Sequence, residues 1–236
     1  MKTILAIETA TEACSLALAR GDVVEQRHEI TPRQHSQRLL AMLEELLPGG
    51  GLQRHGVDAI AYGAGPGSFT GLRIASSAVQ GLAYSAALPA IPVSTLAAQA
   101  QTALRLGLAA PGQFVFSAID ARINEIYYAW YQFEKGLAVP LTQALACSPK
   151  QVTLPDAIVA AVGIGSGCRF LEHMPANVRQ ALGVVAPDLL PEARDLVPLA
   201  RHSAARGETQ LARDVQPVYV RDEINWKKIP EQGKRK

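Results

Sequence analysis

Two carboxylates occupy positions suited to chemistry. Glu8 follows the apolar run Thr3 to Ile7, and Asp120 follows Phe114 to Ile119; each precedes a short polar turn. Two carboxylates facing each other across a cleft can hold Mg²⁺ through their oxygens. A third feature is GAGPGSFTGLRI, Gly63 to Ile74, which links the apolar run Val57 to Tyr62 to a helix-like stretch. Glycine permits positive φ and close backbone approach. Such a turn can present backbone N–H groups to an anion or a partner segment. It matches neither common phosphate motif: Ser68 stands where the dinucleotide fingerprint needs glycine, and no lysine follows as a P-loop requires. A second glycine cluster runs from Gly163 to Gly167. Glu8, Asp120 and Gly165 are therefore the candidate cofactor-binding residues. The alternative is a degenerate cleft whose acids cap hairpins or accept from backbone N–H groups, and no lysine or second acid supports them in sequence.

Other chemistries find little support. The five histidines (His28, His35, His55, His173, His202) include no two at three to five residues' spacing. Cys14, Cys147 and Cys168 are an odd number without a CxxC, which argues against a disulfide framework and a cysteine zinc site. No HExxH or GxSxG is present; GIGSG fails the latter because Ser166 directly precedes its glycine. No catalytic residue, metal site or cofactor is expected.

Apolar content of 48% with 19% charged residues is that of a globular chain, and 236 residues suit one large domain or two smaller ones. The net charge of +2 gives no strong steering toward nucleic acid. Its basic part lies in the tail, where Arg221 to Lys236 holds six Lys/Arg against three Asp/Glu. The opening MKTILAIETATEAC carries too short an apolar run for a signal peptide, and no stretch suits a membrane span. A cytoplasmic protein with reduced thiols is expected.

The elements that must position these residues alternate strand and helix. Thr3–Ile7, Cys14–Ala19 and Val23–Ile30 read as a meander. Arg33–Leu47 reads as a helix whose Leu39, Leu40, Met42, Leu43, Leu46 and Leu47 span an arc of about 160°. A helix Thr70–Tyr84 follows the glycine turn, then a strand Ala90–Val93 and a helix Ser94–Leu106, capped by Ser94 or Thr95. The second half repeats the order: strands Phe114–Ile119 and Glu125–Phe133, a further strand within Val139–Leu145, a strand Ile158–Val162 before the second glycine cluster, and a helix Glu192–Arg206. A strand ending in an acid and a strand ending in glycines thus each occur twice. The pattern predicts a duplicated α/β fold of two lobes, each a mixed sheet with helices: residues 1–106, residues 107–225, and a basic tail 226–236.

The segments ILAIETATEACSLAL, PRQHSQRLL, GAGPGSFTGLRI, SAIDARINEIYYA and PVYVRDEINWKK, in that order, resemble the TsaB (YeaZ) family. These are accessory subunits of the bacterial complex that makes threonylcarbamoyladenosine in tRNA. The resemblance implies the actin/hexokinase/Hsp70-like (ASKHA) fold. It implies a non-catalytic subunit that heterodimerises with a metal-dependent catalytic paralogue, TsaD, and supports assembly with an ATPase, TsaE. The complex would modify the adenosine beside the anticodon in tRNAs reading ANN codons; homodimers through the same helices are also implied. In the paralogue, two histidines four apart bind metal after the fifth strand. The corresponding stretch PVSTLAAQA places Thr95 and Gln99 there, and neither is a usual transition-metal ligand.

The helix after the glycine turn carries Arg73, Ser77, Gln80 and Tyr84 on one face, spaced i, i+4, i+7, i+11, with Ser76, Ser77 and Gly81 small enough for close helix approach. A solvated face would carry more charge. By position in the resembled family, the interface candidates are His35, Leu39 and Met42 on the first helix and Arg73, Ser77, Gln80 and Tyr84 on the second. Trp226, Lys227 and Lys228 either touch tRNA or pack back on the body. The rivals are an ATP-binding ASKHA phosphotransferase, a degenerate peptidase-like protein, and a homodimer with no tRNA role.

Overall fold

In the computed structural model of the chain, residues 2–220 are described. The first meander forms as β1 (Thr3–Glu8), β2 (Ala13–Arg20) and β3 (Val23–Ile30). Helix α1 (His35–Leu46) follows, then β4 (Ala59–Gly65), α2 (Phe69–Ala86), β5 (Ala90–Ser94) and α3 (Thr95–Arg105). Ser68 caps α2 by accepting from the Gly71 amide, and Ser94 caps α3 by accepting from the Ala97 amide.

The second half holds β6 (Phe114–Arg122), β7 (Glu125–Glu134), β8 (Leu137–Pro140), β9 (Leu145–Cys147), β10 (Ala161–Ile164), α4 (Ala176–Ala181), β11 (Leu182–Ala186) and α5 (Ala193–Ala205). Two expectations need correction here, and two elements are additional. The strand placed within Val139–Leu145 is two short strands, β8 and β9, both paired with β7. The strand placed at Ile158–Val162 begins at Ala161; Ile158 and Val159 lie in the preceding turn, where Val159 is 86% exposed. Helix α4 and strand β11 were not anticipated. Their apolar residues are few and sit beside a 3-10 segment, Ser166–His173, that blurs the helical period.

The duplication is explicit in the sheets. The first has strand order β3-β2-β1-β4-β5 and the second β11-β10-β6-β7-β8. In each, the meander is antiparallel, and the strand leading to the glycine turn joins the acid-bearing strand in parallel. The chain is a two-lobed, ASKHA-like α/β protein.

The lobes exchange helices. Helices α1 and α2 cover one face of the first sheet, with Met42, Leu46, Ala75 and Val79 buried against Leu5, Leu16 and Ile60. The other face is covered by α5 from the second half, through Leu196, Val197 and Ala200. Conversely, Leu96, Ala100 and Ala103 of α3 pack with Val115, Ile119 and Tyr131 of the second sheet. A clasp joins the two helices: the partly exposed Arg105 pairs with the buried Asp195 at 2.8 Å and with Glu192 at 2.8 Å, and the Thr102 hydroxyl donates to Asp195 at 2.8 Å. Asp195 is 3% exposed, and these partners satisfy its carboxylate.

Candidate functional site: a closed cleft and an open helical face

Strand β1 carries Glu8 into the interior, where it is fully buried. Its Oε1 accepts from the Ala10 amide at 2.6 Å, while Oε2 has no hydrogen-bond partner. The carboxyl lies over Gly63 of β4; a Cβ there would overlap Oε2. Burial pushes the Glu8 pKa up to about 7, against the opposing pull of the Ala10 amide, the Thr95 hydroxyl and the Thr9 amide. Asp120, its counterpart on β6, is used in the same way. Its Oδ1 accepts from the Arg122 amide at 2.8 Å, and its own amide donates to Ser166 at 3.0 Å. Arg122 reaches Asp120 at 3.4 Å and Glu12 at 3.6 Å, so an arginine links the two hairpins. Each carboxylate thus accepts from a backbone amide of its own hairpin.

The glycine turn serves packing. The Ser68 amide donates to the Ala10 carbonyl at 2.7 Å, and the Thr9 hydroxyl donates to the Gly71 carbonyl at 2.8 Å. A Cβ at Gly67 would lie 2.5 Å from the Ala10 oxygen, and one at Gly71 would overlap the Thr9 oxygen. The glycines therefore let the start of α2 close on the β1–β2 turn. In the second lobe a Cβ at Gly165 would overlap the Ala118 carbonyl and the Gln99 side chain, and one at Gly167 would lie 2.7 Å from the Ala118 Cβ. Gly165 thus lets β10 approach Ala118 and Gln99 closely.

The two positions matched to the paralogue's histidines do not fit a metal. Gln99 is buried, its amide nitrogen donating to the Leu189 carbonyl at 2.8 Å and its oxygen accepting from Ser117 at 2.8 Å. Thr95 is buried, its hydroxyl turned toward the Glu8 carboxyl. Among the described residues no three His, Cys, Asp or Glu side chains converge. All three thiols are free, and burial raises the pKa of each, Cys168 to about 12, which leaves them poor nucleophiles.

The open surface lies on α1 and α2. Arg73, Ser77, Gln80 and Tyr84 are exposed along α2, Tyr84 by 83%. The candidates on α1 need correction. Met42 is 0% exposed and His35 7%, its ring within 3.2 Å of the Ala13 carbonyl, so neither is available to a partner. Leu39, 2% exposed, only floors the groove between the helices. His35, Leu39 and Met42 lie on the side of α1 turned to the sheet; the outward apolar residue is Leu40, 65% exposed. Sequence reasoning also missed Phe69, 54% exposed, and Tyr219 on the returning C-terminal segment. The Val218 amide ties that segment to the Ala64 carbonyl at 2.7 Å. There the Arg73 guanidinium lies 3.8 Å from the Phe69 ring centre and donates to the Tyr219 hydroxyl at 3.2 Å. Trp226, Lys227, Lys228 and the tail 226–236 lie outside the described residues.

Comparison with known proteins decides the family. Residues 22–161 match the protein-family model described as TsaD: tRNA N6-adenosine threonylcarbamoyltransferase. The tRNA threonylcarbamoyladenosine biosynthesis protein TsaB of Escherichia coli K12 is 40% identical over 96% of this chain and 98% of its own. That of Haemophilus influenzae is 36% identical over 97% of each. The chain belongs to the TsaB (YeaZ) family. The solved structure of YeaZ from Pseudomonas aeruginosa is 41% identical, with a TM-score of 0.83 over 93% of this chain and 100% of that one. This chain leaves an open groove between α1 and α2, lined by Leu39, Leu40, Phe69, Arg73, Ile74 and Ser77. No helix among the described residues is long and apolar enough to cross a membrane.

Proposed function

We propose that this chain is a non-catalytic subunit for threonylcarbamoylation of tRNA, acting in the cytoplasm. It pairs through its first lobe, residues 1–106, with a TsaD-type catalytic paralogue. The pairing shifts the paralogue toward its competent arrangement and supports recruitment of a TsaE-type ATPase. The second lobe, residues 107–225, braces the first, and the tail 226–236 meets tRNA or the body. The reading is supported by family membership and by one observation in particular. The cleft spends both carboxylates and the glycine turn on internal bonds, while α1 and α2 expose Leu40, Phe69, Ser77 and Tyr84 around an open groove. Small residues along α2, Gly81 among them, suit a crossing helix, whether from the paralogue or from a second copy in a homodimer.

Arg73→Glu tests the face. Arg73 is exposed and its ring contacts lie at the surface, so the variant is expected to fold and to lose heterodimerisation in sedimentation velocity. Unchanged pairing would place the interface elsewhere. A phosphotransferase would instead bind ATP in calorimetry and lose it in Glu8→Ala or Asp120→Ala.

A further inference from the structure

After α5 the chain crosses back over the first lobe and is pinned at successive points. The Gln210 amide and carbonyl pair with those of Ala90 in β5, at 2.8 and 2.9 Å. Val215 is buried in the core beneath α1 and α2, and the Gln216 carbonyl accepts from the Tyr62 hydroxyl at 3.2 Å. Val218 is held most closely: a Cβ on Gly65 would lie 2.6 Å from its carbonyl oxygen. Tyr219 then sets its ring 5.8 Å from that of Phe69, centre to centre, with its hydroxyl accepting from Arg73. The described chain thus ends, at Val220, beside the mouth of the α1–α2 groove.

The groove continues beyond that mouth. Phe69 and Arg73 line its near end, Leu43, Glu44 and Leu82 its far end, and Leu40 both. From the mouth inward it therefore offers a cation, an apolar floor and an anion. From Phe69 to Leu82, α2 covers about 20 Å at the helical rise. The sequence after Val220 reads RDEINWKK, residues 221–228. In an extended run alternate residues share a face. One such face here is Asp222, Ile224, Trp226 and Lys228. An acid, two apolar residues and a base thus follow in the order in which the groove offers their complements. The lengths agree as well, since an extended chain covers about 20 Å from Val220 to Trp226.

We propose that the tail of this chain, through Ile224 and Trp226, fills the α1–α2 groove of its own molecule when no partner occupies it. Of the two destinations named for Trp226, tRNA or the body, the match favours the body. A helix that crosses α1 and α2 must then displace the tail. The inference goes beyond the pairing proposed above and stands whether or not that helix comes from the paralogue.

Fluorine NMR of the full chain labelled with 5-fluorotryptophan tests it. The sequence holds two tryptophans, so two signals arise, and Trp226→Phe identifies its own by loss. Trp130 is fully buried and reports on folding. The Trp226 signal should lie away from that of a free peptide 221–236 and should not change with protein concentration. Leu40→Glu alters an exposed position, so it should move the Trp226 signal to the peptide's place while the Trp130 signal stays. Lys228→Glu should move it the same way, and adding Glu44→Lys to that variant should bring it back. A wild-type signal at the peptide's place, no response to Leu40→Glu, or charge reversal without rescue would each overturn the inference. A shift that appears only as concentration rises would overturn it in favour of a second copy's tail. One that appears only on adding tRNA would overturn it in favour of an RNA contact.

Discussion

The buried acid at the end of β1 makes stability depend on pH in a direction that can be worked out. Unfolded Glu8 ionises at its ordinary 4.5; in the folded chain burial raises it to about 7. The folded state therefore holds the proton more tightly, and unfolding releases it between those values. The stability Glu8 contributes is fully present below pH 4.5, declines as pH rises and is gone once pH passes about 7. The gap corresponds to about 3 kcal/mol, with a slope of at most about 1.4 kcal/mol per pH unit. Glu8→Gln removes the titration but keeps the shape. Its carbonyl can still accept from Ala10, and its amide offers a donor toward the Thr95 hydroxyl. Urea unfolding of both chains from pH 4.5 to 8.5 isolates the effect. The variant should gain about 3 kcal/mol relative to wild type across that range. A pH-independent difference, or a gain by wild type as pH rises, would show that Glu8 is ionised in the fold and would refute the argument.

Gly71→Ala should cost about 2–4 kcal/mol, because its Cβ meets the Thr9 carbonyl, which belongs to backbone. Gly81→Ala is the control: nothing lies within 4 Å, so it should add about 0.5–1 kcal/mol by helix propensity, yet weaken pairing if a helix crosses there; denaturation and sedimentation read the two effects separately. Arg105→Met removes the ion-pair partner of the buried Asp195 and should cost about 1–3 kcal/mol, with partial recovery in the double variant Arg105→Met/Asp195→Asn in thermal denaturation.

The first lobe was legible because its strands and helices carry clean periods bounded by strong turn residues; β3 matches its expected limits and α1 and α2 lie within two residues of theirs. The second lobe was less so. There β8 and β9 are short and separated by a turn, and a 3-10 segment precedes α4, so neither period 2 nor 3.6 persists. The repeat of acid and glycine turn was visible, and so was the prospect that both acids serve hairpins. The outward face of α2 was readable because its polar and small residues keep helical spacing. That of α1 was not: Leu39, Leu40, Met42 and Leu43 are alike in type, and only the sheet decides that Leu40 points outward while Met42 is buried. The Arg73–Phe69–Tyr219 cluster joins residues 146 apart or more in sequence to a neighbouring turn, which no local pattern encodes.

The measurement that bears most directly on the account is threonylcarbamoyl transfer to tRNA by the TsaD-type paralogue with its synthetase and ATPase partners, with and without this chain. The account predicts that transfer requires the chain, that the chain alone is inert, and that Arg73→Glu fails to support it. Equal transfer in its absence would contradict the accessory role, and would turn attention back to nucleotide binding at Glu8 and Asp120.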